Sequence, residues 1–378
     1  MSPSTRLARR LRWAVPVGAL VVTGGVVAGS LITAAQATPP LPPRTPAQLL
    51  AAVAGRTGPL PALTGTVVET AALGLPSLPG TGDPTSLTSL LAGSHTVRVW
   101  YSDPSHVRLE IPGQLSESDV IRNGQDVWTW SSVRNTATHV RLPARGTDTA
   151  EPSPARSPLT PQEAAREALA AVGPTTRVSV ASNVMVAGVP CYELVLAPKD
   201  SRSLVGQVRI AVDARRSVPL RVQVFARGGA APAFQTGFTS ISYTQPASAN
   251  FAFTPPAGAK VQQRSPAGLD AGAQPRAHTR AEGGSHGDVV GKGWLAVAVI
   301  PTSGSAPQGN GTTDRQVNAL LGSASQVQGS WGSGRLLRTK LISALFTSDG
   351  RLLIGAVTPD VLYGAVAQTE QLAGQGGR

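Results

Sequence analysis

The sequence predicts a mainly β (α+β) protein, and three observations lead there. Short runs rich in Val, Thr, Leu and Ile recur at close spacing, with apolar and polar residues alternating at period two. Turn-forming pairs separate them: Asp103-Pro104, Asn123-Gly124, Ala187-Gly188 and Asp213-Ala214. Helical signals are few, and each marks only a short helix. The alternation sets one apolar face against one mixed face. Val97 and Val99 alternate with Arg98 and Trp100; Val107, Leu109 and Ile111 alternate with Arg108 and Glu110.

Taken in order, residues 1–37 read as a signal peptide or membrane anchor. Arg6, Arg9, Arg10 and Arg12 form a basic head, an uncharged apolar run extends from Trp13 to Ala35, and Ala35-Gln36-Ala37 is a small-x-small cleavage pattern. The run is about long enough to span a bilayer, so cleavage and retention both stay open. Either way the remainder is expected to be extracytoplasmic, secreted or held on the cell membrane by this segment. A proline-rich spacer, 38–44, follows.

Folded sequence begins near Thr45. Thr45-Pro46, Asp83-Pro84, Thr160-Pro161 and Thr358-Pro359 each offer an N-cap oxygen, then proline at the first helical position, where its missing N–H costs nothing. They predict helices Pro46–Ala54, Pro84–Ala92, Pro161–Val172 and Pro359–Ala367, the first three stopped by Gly55, Gly93 and Gly173. Thr160 and Glu163 complete a capping box. Strands are predicted over Thr66–Thr70, Thr96–Tyr101, His106–Ile111, Asp119–Arg122, Asp126–Ser131 and Thr138–Leu142. A second set covers Arg177–Val186, Cys191–Ala197, Gly206–Val212, Leu220–Ala226 and Gly237–Tyr243. Short connections favour antiparallel neighbours, hence a meander. A Pro/Ala/Arg/Thr-rich loop spans Pro143–Arg156, and a linker, 263–291, separates a C-terminal α+β extension, 292–378. That extension reads as strand Trp294–Pro301, helix Asp314–Leu321, one long strand Arg335–Phe346, the turn Ser348-Asp349-Gly350, strand Arg351–Val357 and the last helix. It is expected to dock on the main domain, being too small to bury a core of its own.

Composition narrows the function. The net charge of +12 would suit nucleic acid, but a third of it lies in Arg6, Arg9, Arg10 and Arg12, and the strands do not interleave basic and aromatic residues as single-strand binders do. No nucleic-acid partner is expected. Cys191, the single cysteine, permits no intramolecular disulfide and lies in an apolar strand, as a buried structural thiol does. Catalytic and cofactor signals are weak. Gly283-Gly284-Ser285-His286-Gly287 fits G-x-S-x-G but sits in the linker, without the strand and helix a nucleophile elbow needs. His95, His106, His139, His278 and His286 are scattered without metal-ligand spacing, and no glycine-rich phosphate loop follows a strand. The chain reads as a non-enzyme without cofactor or metal.

Three stretches carry a family resemblance. Val120 to Trp130, a strand–tight turn–strand hairpin ending in Trp128-Thr129-Trp130, resembles a hairpin of the LolA/LolB/RseB superfamily. Phe251-Ala252-Phe253-Thr254-Pro255-Pro256-Ala257-Gly258-Ala259-Lys260-Val261 resembles the closing segment of LolA-type proteins, and Val97–Ile111 the hairpin whose second strand places an arginine after an apolar residue. Together they bracket 45–262. The resemblance implies a curved antiparallel sheet forming an incomplete β-barrel covered by short helices, with a hydrophobic hollow between sheet and helices. Its ligand in LolA-type carriers is a lipid or lipoprotein acyl chain; RseB-type relatives use the hollow to sense envelope stress and act on a membrane-protein partner. Val97, Val99, Val107, Leu109 and Ile111 are then candidates to line the hollow, Trp128 and Trp130 to form its rim, and Arg108 to latch a covering helix. The expected covers are alanine-rich, with Ala164, Ala165, Ala168, Ala170 and Ala171 in one helix and Ala51, Ala52 and Ala54 in another, and small residues fill a concave sheet poorly. An ordinary, fully packed core is the competing reading.

Overall fold

The computed structural model describes residues 41–54, 60–74, 92–113, 115–143, 160–170, 172–265, 288–302 and 322–375. The N-terminal apolar run, the helices expected at 84–91 and 314–321, and the G-x-S-x-G stretch lie outside them. Among the described residues no helix is long and apolar enough to cross a membrane.

One large sheet is built as two meanders. β1 (Leu63–Ala72), β2 (Ala92–Asp103), β3 (His106–Pro112), β4 (Glu117–Asn123), β5 (Asp126–Ser131) and β6 (Thr136–Arg141) pair in sequence. β7 (Thr176–Val180) and β8 (Val184–Val186) both pair with β9 (Val189–Pro198), which continues through β10 (Val205–Asp213), β11 (Pro219–Ala226) and β12 (Pro232–Ser242). Antiparallel pairing of β12 with β1 joins the halves, and β13 (Lys260–Arg264) adds to β6 in parallel. The sheet ends at β13 and β7 and is not closed into a barrel. Two helices belong to this part: α1 (Pro46–Ala54) and α2 (Pro161–Ala170). Both starts are capped as a capping box should be. Thr160 Oγ1 accepts from Glu163 N while Thr160 N donates to Glu163 Oε2, and Thr45 and Gln48 make the same reciprocal pair.

The register carries one face across the whole sheet. Leu194 opposes Ile210, Ile210 opposes Val222, Val222 opposes Thr236, Thr236 opposes Glu69 and Glu69 opposes His95. Two residues along, on the same face, Val67 opposes Val97, and Val99 opposes Leu109. This is the face that α1 and α2 cover, because Leu49 of α1 and Ala164 and Ala165 of α2 pack with Leu194, Ile210 and Val222. Arg98, Trp100, Arg108 and Glu110 alternate onto the outer face.

A second, six-stranded sheet comprises β14 (Asp288–Val290), β15 (Val297–Pro301), β16 (Ser325–Gly329), β17 (Gly332–Arg338), β18 (Ser343–Thr347) and β19 (Arg351–Gly355), in the order β14-β15-β19-β18-β17-β16. Leu362, Ala365 and Val366 of α3 (Pro359–Gln375) pack on Val297, Val299, Leu345 and Leu353. This sheet therefore has a core of its own, contrary to the expectation from its size, and it also packs on the first. Leu341, Ile342, Trp294 and Ala356 join the core that α1 and α2 cover. Lys340 N donates to Leu73 O, Leu204 N to Ala356 O and Thr358 N to Arg202 O.

Several expected elements differ. Arg177–Val186 is two strands, interrupted at residues 181–183, and both run along the same edge of β9. The long strand Arg335–Phe346 breaks at a turn in which Thr339 Oγ1 accepts from Leu341 N and Ile342 N. Gly93, expected as a helix stop, lies inside β2 at φ +104°. Trp294 stands in a single 3₁₀ turn ahead of β15, and β13, β14 and β16 escaped the sequence reading.

Candidate functional site

The expected hollow lies on the helix-covered face, and its floor is aliphatic at both ends, with buried Thr236, Glu69 and His95 between them. At the β9–β11 end Leu194, Leu196, Ile210 and Val222 are almost fully buried beneath Leu49, Ala164 and Ala165. At the β1–β3 end Val97, Val99 and Ile111 pack with Leu63, Val67, Phe238 and Val186. Val186 belongs to the β8–β9 hairpin, whose turn needs the left-handed backbone at Ala187 and Gly188, at φ +48° and +76°. Of the five candidate lining residues, Val97, Val99 and Ile111 retain only 3%, 8% and 3% of their surface and Val107 and Leu109 are half-buried. All five are on one face, brought together by register. In this conformation the floor is packed against protein.

The cover differs from the floor. α2 presents Ala164, Ala165 and Ala168 with one larger side chain, Leu169, where the sheet presents leucine, isoleucine and valine, so removing it from the sheet would uncover large side chains while losing mostly small ones. Its polar tie to the sheet is a hydrogen bond from Gln162 Nε2 to Pro219 O, 3.3 Å long. α1 is held differently: Tyr192 donates from its hydroxyl to Pro42 O at 2.8 Å, and the Arg44 guanidinium lies 5.1 Å from the centre of the Tyr192 ring.

The remaining candidates belong to the outer face. Arg108, for which the resemblance implies a bond to a covering helix, turns away from α1 and α2 to Asp119. Its Nε and Nη2 donate to Asp119 Oδ1 at 3.3 and 3.2 Å, with Glu117 and Glu110 at 3.8 and 3.9 Å. The physical reason is the plain alternation that places Val107 and Leu109 inward. Trp128 and Trp130, expected at the rim, lie on this outer face too, where both contact Phe253 of the closing segment and Trp128 stacks on His139 at 4.3 Å. That packing is how the closing segment earns its place in the fold.

Sequence reasoning missed the charged groups buried across the outer face. Asp119 is almost fully buried and its Oδ2 has no partner. Burial, with Glu117 and Glu110 close by, raises its carboxyl to about 7 against the pull of Arg108. Glu193 is buried between Arg221, at 3.1 Å, and Arg209, at 3.5 Å. Tyr243 donates to Asp213 Oδ2 at 2.6 Å, while Arg216 lies 3.8 Å from the Tyr243 ring centre. Burial beside Asp213 pushes the Cys191 thiol up to about 12, the state of an inert structural cysteine. A carboxylate two residues from a partner across a strand pair was the available signal for the Arg108–Asp119 contact. Among the described residues no group of three His, Cys, Asp or Glu side chains is placed to hold a metal ion.

No protein-family profile matches the chain, and no curated protein is similar to it in sequence. Solved structures are similar in fold. The Pseudomonas aeruginosa MucA/MucB complex aligns over 83% of this chain and 92% of MucB at 14% identity, with a TM-score of 0.38. A LolA superfamily protein from Nitrosomonas europaea aligns over 56% of this chain and 99% of its own at 11% identity and a TM-score of 0.23. An uncharacterised conserved protein from Thermus thermophilus aligns over 58% and 98% at 13% identity and a TM-score of 0.32. The chain itself has an open, largely antiparallel sheet with α1 and α2 packed on one face.

Proposed function

We propose that this chain is an extracytoplasmic, non-catalytic binding protein that takes an acyl chain of a lipid or lipoprotein between α2 and the sheet. The observation that carries this reading is the mismatch between cover and floor: a helix that sets three alanines, Ala164, Ala165 and Ala168, and one leucine, Leu169, over Leu194, Leu196, Ile210 and Val222. Displacing such a helix exchanges one apolar neighbour for another, so an inserted acyl chain replaces the lost burial at about 25 cal/mol per Å². The polar cost is the Gln162–Pro219 bond, with a net worth of about 1 kcal/mol. Closed without ligand and open with it, the site would follow population shift rather than a permanent cavity. Val97, Val99, Val107, Leu109 and Ile111 would extend the floor toward β3. Native mass spectrometry of the purified chain tests this: copurified lipid, or uptake of a fatty acid, is expected. A chain that stays bare and leaves an apolar dye dark when folded would refute it.

A second reading is favoured by one contact. Leu341 and Ile342 of the second sheet belong to the same core that α1 and α2 cover, so movement of the cover has a route to that sheet. In this reading the chain is a sensor that acts on a membrane-protein partner. Hydrogen exchange in β17 and β18 should then change on fatty-acid loading; unchanged exchange would leave the carrier reading alone.

A further inference from the structure

The outer face, opposite the helix cover, carries a dent of about 310 Å³ across β12, β1 and β2, near the lower end of the ~300–1,000 Å³ typical of small-molecule sites. A β-bulge lies at this place. Thr66 pairs with Ser240 and Val67 with Phe238, so Thr239 is the extra residue, and its hydroxyl donates back to Thr66 O at 3.2 Å. Bulges of this kind bend a strand and re-aim its side chains. Here they leave the hydroxyls of Thr64, Thr66, Ser240 and Ser242 around one dent with Trp100 and Arg98.

The charges at this place are already matched. Arg98 Nη1 donates to Glu110 Oε1 at 2.6 Å, and the neighbouring Arg108 is held by Asp119 while lying 5.5 Å from the Trp100 ring centre. An anion would gain little from cations so engaged. What the dent offers is an aromatic surface, the hydroxyls of Thr64, Thr66 and Ser240, which can both donate and accept, and the Arg98 guanidinium; the Ser242 hydroxyl is taken up by Thr244. A ligand that uses all of these has an apolar C–H face and many hydroxyls. We propose that the dent binds a neutral saccharide unit, one face on Trp100 and its hydroxyls toward Thr64, Thr66, Ser240 and Arg98. The site is independent of the acyl-chain site on the other face and remains open when that one is full.

The chain has six tryptophans, so bulk fluorescence would not isolate Trp100, and ligand-detected NMR is the better readout. Saturation transfer to maltose and to N,N′-diacetylchitobiose is measured on the full chain, with inorganic phosphate in a separate arm read by ³¹P line width. Transfer to at least one saccharide at millimolar concentration is expected, with the apparent affinity lowered about tenfold by Trp100→Ala. Thr66→Val keeps shape and strand preference and removes one hydroxyl, so it should weaken binding with the melting temperature unchanged, and it decides the matter if Trp100→Ala folds poorly. No transfer to either saccharide, transfer that survives both substitutions, or broadening of phosphate alone would each overturn the proposal.

Discussion

Replacing Asp119 by Asn should make the protein's stability less dependent on pH, and the size of the effect follows from the site. Asp119 is 2% exposed; one oxygen faces Arg108 and the other has no partner. Burial is the largest influence and Glu117 the next, and together they raise the carboxyl from 3.8 to about 7 despite Arg108. At ~1.4 kcal/mol per pH unit that displacement has a ceiling of about 4 kcal/mol. Relaxation and water around the site reduce what one substitution can recover, to roughly 2 kcal/mol. The folded state holds this proton more tightly than the unfolded chain. Its contribution is therefore complete below pH ~4 and is lost as pH rises through about 7. Urea denaturation of wild type and Asp119→Asn at pH 5 and pH 8 isolates it, because groups that do not interact with Asp119 cancel in the difference. The variant should gain roughly 2 kcal/mol on the wild type between those two values. A wild-type-to-variant difference that is the same at both would show that Asp119 ionises normally and that its burial is relieved by some other contact.

Other outcomes are equally direct. Cys191, buried with its thiol raised to about 12, should resist a thiol reagent at pH 8 in the folded protein and react once urea unfolds it. Thr160→Ala, which breaks the capping box on α2, should cost about 1 kcal/mol in denaturant titration and speed release of an apolar dye if α2 is the cover. Arg108→Leu should cost 1 kcal/mol or more, since it leaves the buried Asp119 without its cation, and should leave dye release unchanged; an altered release rate would restore the latch. A phosphatase fused at Ser240 should be active in cells if 38–378 is extracytoplasmic.

Much of the large sheet was legible because its alternation is regular. Val97, Val99, Val107, Leu109 and Ile111 share a face in the sequence and in the structure, and the turns at Asn123-Gly124 and Ala187-Gly188 are where their composition placed them. The helix starts were legible for a different reason: Thr160 and Glu163 interact three residues apart, with no long-range information required. What failed was long-range or negative. The break at Thr339–Ile342 follows an unbroken strand-like run, and what stops it is a side chain bonding its own backbone. β13 has five exposed residues and no hydrophobic pattern, so only its pairing with β6 defines it. Arg108 was read two ways, and simple alternation proved the better guide to its direction than family order did.

The closing segment explains why an opening of this fold belongs on the helix side. Phe251 is buried and meets His106 edge-on, Phe253 contacts Trp128 and Trp130, and β13 then pairs in parallel with β6. Asn135 closes the connection twice, its Nδ2 donating to Gly258 O and its carbonyl accepting from Lys260 N. Aromatic packing plus a strand pairing ties down the outer face over β3–β6, and ionic networks hold it further along at Asp119 and Glu193. Among the described residues the inner face has no comparable ties at α2, where Ala164, Ala165, Ala168 and Leu169 meet aliphatic side chains and Gln162 donates an amide bond to Pro219. Dispersion contacts reform with any apolar partner of suitable shape, whereas an aromatic cluster or a buried ion pair loses its particular partners when parted. A ligand that offers only methylene groups can therefore compete for the space beneath α2, and has nothing with which to compete for the outer face.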